Sequence, residues 1–173
     1  MPSLSFTGHR PQSLKYFFNE SHADCVNLKK LILNKTAAII EAENIENIYT
    51  GMALGSDIWC AEAVLYLKKF YPKIKLHAVL PFRNQTEKWS EKLLEQYGER
   101  YDEILSKCES VAVLAENYSD GVYMIRNEYL VDHADVVLAI WNGKPSGTGK
   151  TVKLAKLRGK SCVIINPDTL EIV

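Results

Sequence analysis

The chain predicts an α/β fold: a single doubly wound, mainly parallel sheet of the Rossmann-like kind. Two observations carry this expectation. Short strand-like runs, several of them apolar on both faces, alternate with longer helical stretches along the 173 residues. Strands apolar on both faces belong in a parallel sheet covered by helices on both sides. The glycine-rich and polar segments follow the first, second and fifth of these runs. In a parallel sheet that position is the carboxyl edge, where ligands bind near the switch point.

Each element follows from its pattern. Leu4-Ser5-Phe6-Thr7 is a short first strand. Leu28, Leu31, Ile32, Lys35, Ile39 and Ala42 fall at helical spacing and predict a helix over about 22–43. Asn47-Ile48-Tyr49-Thr50 is the second strand, and Ile58, Ala61, Leu65 and Tyr66 mark a helix that ends before Pro72. Ile74 to Leu80 is the third strand, stopped by Pro81. Trp89, Leu93, Tyr97, Tyr101, Ile104 and Cys108 give a long amphipathic helix, with enough apolar length to serve a core or a dimer. Val111 to Leu114 is the fourth strand, 122–133 a helix, 136–141 the fifth strand, about 149–158 a helix, and Cys162 to Ile165 the last strand. No linker or repeat interrupts this order, so residues 1–173 read as one domain.

Composition narrows the function classes. Hydrophobic residues make up 47%, and 21 basic residues balance 21 acidic ones. A neutral chain has no bulk electrostatic grip on nucleic acid or an anionic membrane, which makes a nucleic-acid partner unexpected, although a local basic patch stays open. Cys25, Cys60, Cys108 and Cys162 are far apart and show no metal-ligand spacing, as expected of reduced core cysteines in a cytoplasmic protein. Met1-Pro2-Ser3 leads straight into a strand, so no signal peptide is expected, and no apolar run reaches the ~20 residues of a membrane span. No metal or other cofactor is expected.

The loops carry the chemistry. Asn142-Gly143-Lys144-Pro145-Ser146-Gly147-Thr148-Gly149-Lys150-Thr151 lies between a buried strand and a helix. Its glycines suit close approach of an anion to the first free N–H groups of that helix. It is similar to a Walker A loop but fails it, because Lys144 stands where the first glycine is needed. Thr7-Gly8-His9-Arg10-Pro11 reads either as a phosphate- or base-contacting turn or as a tight turn with a solvated arginine. In Gly51-Met52-Ala53-Leu54-Gly55-Ser56-Asp57, Gly51 and Gly55 allow close backbone approach, Ser56 or Asp57 can cap the next helix, and Asp57 can instead bond a ribose hydroxyl. Trp59 and Glu62 could line the same cleft, or be a core residue and a solvated one. Arg126, beside Asn127, could meet a phosphate or simply pair with Glu128 or Asp132. His133 suits the C-terminal end of its helix.

Taken together, Thr7-Gly8-His9-Arg10-Pro11, the run from Gly51 to Glu62, Leu80-Pro81-Phe82 and Arg126-Asn127 resemble the YpsA-like branch of the SLOG superfamily. That superfamily includes the DNA-processing protein A fold and the LOG phosphoribohydrolases. The resemblance covers nearly the whole chain. It implies a Rossmann-like domain of strand order near 3-2-1-4-5, here with an added C-terminal strand, that binds nucleotides or molecules derived from them. The chain departs from the LOG signature Pro-Gly-Gly-x-Gly-Thr-x-x-Glu. Laid on Pro145, that pattern meets Ser146, Lys150 and Lys153 in place of Gly, Thr and the catalytic Glu. An arginine without its carboxylate is a phosphate clamp, not an acid–base pair.

The leading expectation is therefore a binder, sensor or sequestering protein for a small nucleotide-derived ligand, such as an ADP-ribose-like or cyclic nucleotide signal. Gly51, Gly55, Gly147 and Gly149 would bring amides to phosphates, and Arg10, Arg126 and Lys150 would add charge. The enzyme alternative is an N-glycosidase acting on nucleoside monophosphates, with Asp57, Glu62 and Arg126 as its catalytic group. A third class is a single-stranded DNA binder. A homodimer or higher homo-oligomer stays open.

Overall fold

The computed structural model describes all 173 residues. It contains the strands β1 (Ser3–Gly8), β2 (Asn47–Thr50), β3 (Lys75–Leu80), β4 (Ser110–Val113), β5 (Val136–Ile140) and β6 (Ser161–Ile165). Between them run the helices α1 (Ala23–Glu43), α2 (Ser56–Leu67), α3 (Glu91–Lys107), α4 (Val122–Asp132) and α5 (Gly147–Leu157). Every expected element is present. Two single 3-10 turns, Pro11–Ser13 and Gln85–Lys88, are additional.

All six strands form one parallel sheet in the order β4-β3-β2-β1-β5-β6. The fold class is as expected, with the 3-2-1 run at its heart. The strand beyond that basic order is β4, at the edge outside β3, while β5 and β6 take the two places beyond β1. Burial explains the arrangement. Every residue of β5 is buried, which suits a central strand, whereas Ser110 and Val111 of the four-residue β4 are exposed, which suits an edge.

The period of two along β5 separates two cores. Val136, Leu138 and Ile140 join the large cluster built with α1, α2 and α3, while Val137 packs with Val131, Ala134 and Ala155 beside α4 and α5. The apolar stripe of α3 faces the large cluster through Tyr97, Tyr101 and Ile104, so its length serves the core, and Trp89 meets Tyr101 edge-on from just before the helix. The four cysteines are free thiols, two buried and two half-buried. No helix is long and apolar enough to cross a membrane.

The chain winds outward from β1 to β4, then returns to the other side of β1 for β5. The switch point therefore lies between β1 and β5, and the loops leaving their carboxyl ends diverge there and open a crevice.

Candidate functional site

The crevice is held by a side chain from the first loop. His9 donates its backbone N–H to the Ile140 carbonyl at 3.0 Å, and its Nε2 accepts the Asn142 backbone N–H at 3.1 Å. An accepting Nε2 requires the neutral imidazole, and burial lowers the His9 pKa in the same sense. The His9 carbonyl accepts the Ser56 hydroxyl at 2.7 Å, which ties the same loop to the start of α2. Gly8 is needed for this approach, since a Cβ there would lie 2.5 Å from the Ser56 Cβ and 2.9 Å from that of Ile140.

The second loop departs from expectation. Gly51 and Gly55 do not line the crevice, and protein atoms fill the space their missing side chains leave. A Cβ on Gly51 would fall 2.8 Å from the Arg126 Nη1, and one on Gly55 would fall 2.8 Å from the Pro11 Cδ. Met52 is fully buried, with its carbonyl accepting from Gln85, so it is a core residue rather than a ligand contact. Ser56 is buried and engaged by His9, and Thr7 is a buried strand residue. Ala53 and Asp57 do face the crevice.

Arg126 is only 4% exposed. Its Nη1 donates to the Gly51 carbonyl at 2.6 Å and its Nε to the Asn127 Oδ1 at 2.9 Å. No protein acceptor meets Nη2. The expected pairings with Glu128 or Asp132 do not form; Asp132 pairs with Arg158 instead. Asp57, buried at the first turn of α2, accepts the Ala53 N–H on Oδ2 at 3.1 Å. Burial raises its pKa, against the pull of the Arg126 charge; burial likewise lowers that of Arg126, against the pull of Asp57.

These groups line a cleft of about 410 Å³, within the range of small-molecule sites. Arg10 stands at its mouth, exposed, without an ion pair or side-chain hydrogen bond, its guanidinium carbon 4.8 Å from the centre of the Tyr123 ring. Asn127, Ser146, Gly147 and Thr148 complete the lining. Ser146 caps α5 by accepting the Gly149 N–H at 3.0 Å, while the Gly147 and Thr148 amides find no protein acceptor and nothing lies within 4 Å of a Cβ position on Gly147.

The rest of the fifth loop turns away from this cleft. Gly143, Gly149, Lys150 and Lys153 line a second groove of about 690 Å³ with Trp141, Lys156 and Leu157, and only Ser146 is common to both. The Trp141 indole fills the gap at Gly149, 3.0 Å from a Cβ position. Thr151 is buried, its hydroxyl bonded to the Gly147 carbonyl at 3.0 Å, and the Asn142 side chain accepts from the Lys144 N–H. Lys150 and Thr151 are thus not cleft residues.

Glu62 lies elsewhere too. It pairs with Arg100 at 2.6 Å, and Arg100 also holds Glu20 at 2.9 Å, in a network between α2, α3 and the segment before α1. Trp59 is 3% exposed and packs in the core. The expected carboxylate pair of Asp57 and Glu62 is therefore not brought together. His133 ends α4 as expected, its ring stacked on Tyr129 with centroids 3.8 Å apart. No group of three or more His, Cys, Asp and Glu side chains is placed to hold a metal ion. The sequence reading missed Tyr123, Gln12 and Ser13, which line the cleft. Tyr123 could have been found from its i, i+3 spacing to Arg126 on one helix face.

Known proteins agree with this architecture. UPF0398 proteins of Bacillus thuringiensis (strain Al Hakam) and Bacillus cereus (strain AH187) are each 29% identical to the chain over 163 residues, covering 92% of it and 85% of their own length. Among solved structures, the DNA processing protein A of Helicobacter pylori, described for its single-stranded DNA binding mode, superimposes with a TM-score of 0.61 at 17% identity. That match covers 95% of this chain and 65% of the other. The DprA of Streptococcus pneumoniae gives 0.59 at 18% identity, over 96% and 50%. At identities this low the superpositions show a shared fold alone, and the chain spans less than two thirds of either neighbour. The model of the YspA SLOG family matches residues 4–169, from the first strand past the last and through every loop of the cleft. The chain belongs to the YspA SLOG family.

Proposed function

We propose that the protein binds a small, phosphate-bearing, nucleotide-derived ligand, of the ADP-ribose-like or cyclic-nucleotide kind, in the cleft between β1 and β5, and holds it without chemistry. The observation that carries this reading is an excess of positive charge inside a small concave site. Two guanidiniums, Arg10 and Arg126, line it against one carboxylate, Asp57, whose burial favours the neutral acid. The free amides of Gly147 and Thr148 at the start of α5 add donors that favour an anion. Capture is favoured over hydrolysis because Lys153 stands where the LOG pattern has its catalytic Glu, and Glu62 is committed to Arg100. Calorimetry with a panel of adenine and guanine nucleotides tests the reading. Binding that weakens by about 1.5–3 kcal/mol in both Arg10→Ala and Arg126→Ala is the expected result, the range for charge-assisted hydrogen bonds. Unchanged affinity in both variants would remove the cleft from consideration.

A second reading, single-stranded nucleic acid, is favoured by the groove beside α5. Lys150, Lys153 and Lys156 recur at every third position, carry no ion pair, and share the groove with Trp141 and with no acidic residue. Cations plus a ring on which a base can stack are what a single strand needs, and the Helicobacter pylori neighbour is described as a single-stranded DNA binder. Local charge here outweighs the neutral whole-chain balance that made such a partner unexpected. Anisotropy of a labelled oligothymidylate across a salt series tests it. Replacing the three lysines with Gln should flatten the log–log salt slope by about 2, at ~0.7 per phosphate contact.

A further inference from the structure

We infer that Tyr123 is the stacking platform for a planar base, so that the cleft selects nucleotides over bare sugar phosphates. The inference rests on the reading of the cleft as a phosphate-ligand site.

Tyr123 lies one turn before Arg126 on α4 and lines the cleft. Its ring is backed by two other aromatic rings. Phe82 lies 6.2 Å away at 66° between ring planes, and Tyr118 lies 6.2 Å away at 54°. At those angles neither stacks flat on Tyr123. The segment that supplies Tyr118 is fixed to the end of β3 by the two-pronged pairing of Arg83 with Glu116, both contacts at 2.8 Å, and by the Arg83 N–H on the Ala115 carbonyl at 3.0 Å.

What occupies the ring is a planar cation with no other tie. The Arg10 guanidinium is 4.8 Å from the ring centre and that of Arg126 is 5.9 Å away. Arg126 is anchored by Gly51 and Asn127, whereas Arg10 makes no side-chain hydrogen bond or ion pair. A flat group already rests against Tyr123, and the group resting there is free to move. A base can take that place, and Arg10 can then cover the base or turn to its phosphate. The hydroxyl of the cleft-lining Tyr123 bonds no protein atom, so Tyr123→Phe removes no protein contact. Stacking tolerates any base, so the platform predicts preference for nucleotides as a class rather than for one base.

The experiment compares adenosine, guanosine and uridine 5′-monophosphates with ribose 5-phosphate and inorganic phosphate by calorimetry on wild type, Tyr123→Phe and Tyr123→Ala. The wild type should bind the nucleotides more tightly than ribose 5-phosphate. Tyr123→Ala should lose roughly 5- to 150-fold in nucleotide affinity, the value of one base stack, while its affinity for ribose 5-phosphate stays the same. Tyr123→Phe should match wild type for every ligand. Retained ribose 5-phosphate binding also reports that the Tyr123→Ala cleft is folded. Ribose 5-phosphate binding as tightly as the nucleotides would overturn the platform and leave the phosphate site standing, as would equal losses for all ligands in Tyr123→Ala. Failure of every probe to bind wild type would overturn both.

Discussion

Arg126 occupies the space that a side chain on residue 51 would need. Its Nη1 donates to the Gly51 carbonyl at 2.6 Å, and a Cβ built on Gly51 would lie 2.8 Å from that nitrogen and 2.9 Å from the guanidinium carbon. The glycine leaves room for the arginine, which packs against the backbone in a buried place.

Gly51→Ala should therefore copy the loss of Arg126. The added methyl displaces the guanidinium from its anchor, so phosphate-ligand affinity should fall by about 1.5–3 kcal/mol, and overpacking should cost ~1–3 kcal/mol of stability. Arg126→Lys should not restore binding, because an ammonium lacks the planar fork that meets Gly51 and the ligand together. Calorimetry and denaturant melts of the two variants check this, and a Gly51→Ala protein of normal affinity would refute it.

The burial of His9 sets a pH dependence. Burial places the folded pKa of His9 below its ordinary value of 6.5, so the unfolded chain takes up the proton first. The contribution is complete above about pH 6.5 and is lost as the pH falls from there through the lowered folded value. His77, also depressed chiefly by burial, acts with the same sign. The melting temperature should drop between pH 7.5 and 5.5, and His9→Gln should flatten part of that drop. An unchanged slope in His9→Gln would show that the ring is not held neutral.

Glu20 tests the network that removes Glu62 from the site. Burial opposes its ionisation, but hydrogen bonds from Arg100 and Lys29 outweigh that and hold its pKa at about 2. A depressed carboxylate stabilises above its unfolded pKa, near 4.5, and that stability disappears as the pH falls through about 2. Glu20→Gln should cost about 1.5–3 kcal/mol at pH 7 and little at pH 2 in denaturant melts. Glu62→Gln, on the same network, should leave ligand affinity as in wild type.

Adenosine monophosphate should stay whole in the cleft. Departure of the base needs a carboxylate near the ribose, and general acid–base help is typically worth 10²–10⁴-fold. The one carboxylate that lines the cleft, Asp57, accepts the Ala53 N–H and is biased by burial toward the neutral form. Chromatography after long incubation should find no free adenine while the ligand raises the melting temperature. Catalytic release that disappears in Asp57→Asn would replace the binder reading with the glycosidase one.

The sequence by itself determined the succession of strands and helices, the parallel sheet and the edge on which the loops gather. Those properties are written in local pattern: Val136 to Ile140, short, apolar, rich in β-branched residues and followed by Asn142-Gly143, reads as a buried strand, and Pro72 marks the end of the helix before it. It also marked His9, Arg10, Asp57 and the start of α5, since strand-to-helix junctions at the carboxyl edge lie near one another, and the resemblance added Arg126 from within α4. The tertiary structure alone decided what those residues do. A glycine's missing side chain reads the same whether a phosphate, an arginine or an indole fills the space. Gly51 and Arg126 are 75 residues apart, and no local pattern couples them. Helical phase then parted Lys150 and Lys153 from Thr148, and the i, i+3 step along α4 put Tyr123 beside Arg126 in the cleft. Which loops share an edge follows from the order of elements; which side chains meet there depends on contacts made only when the sheet closes.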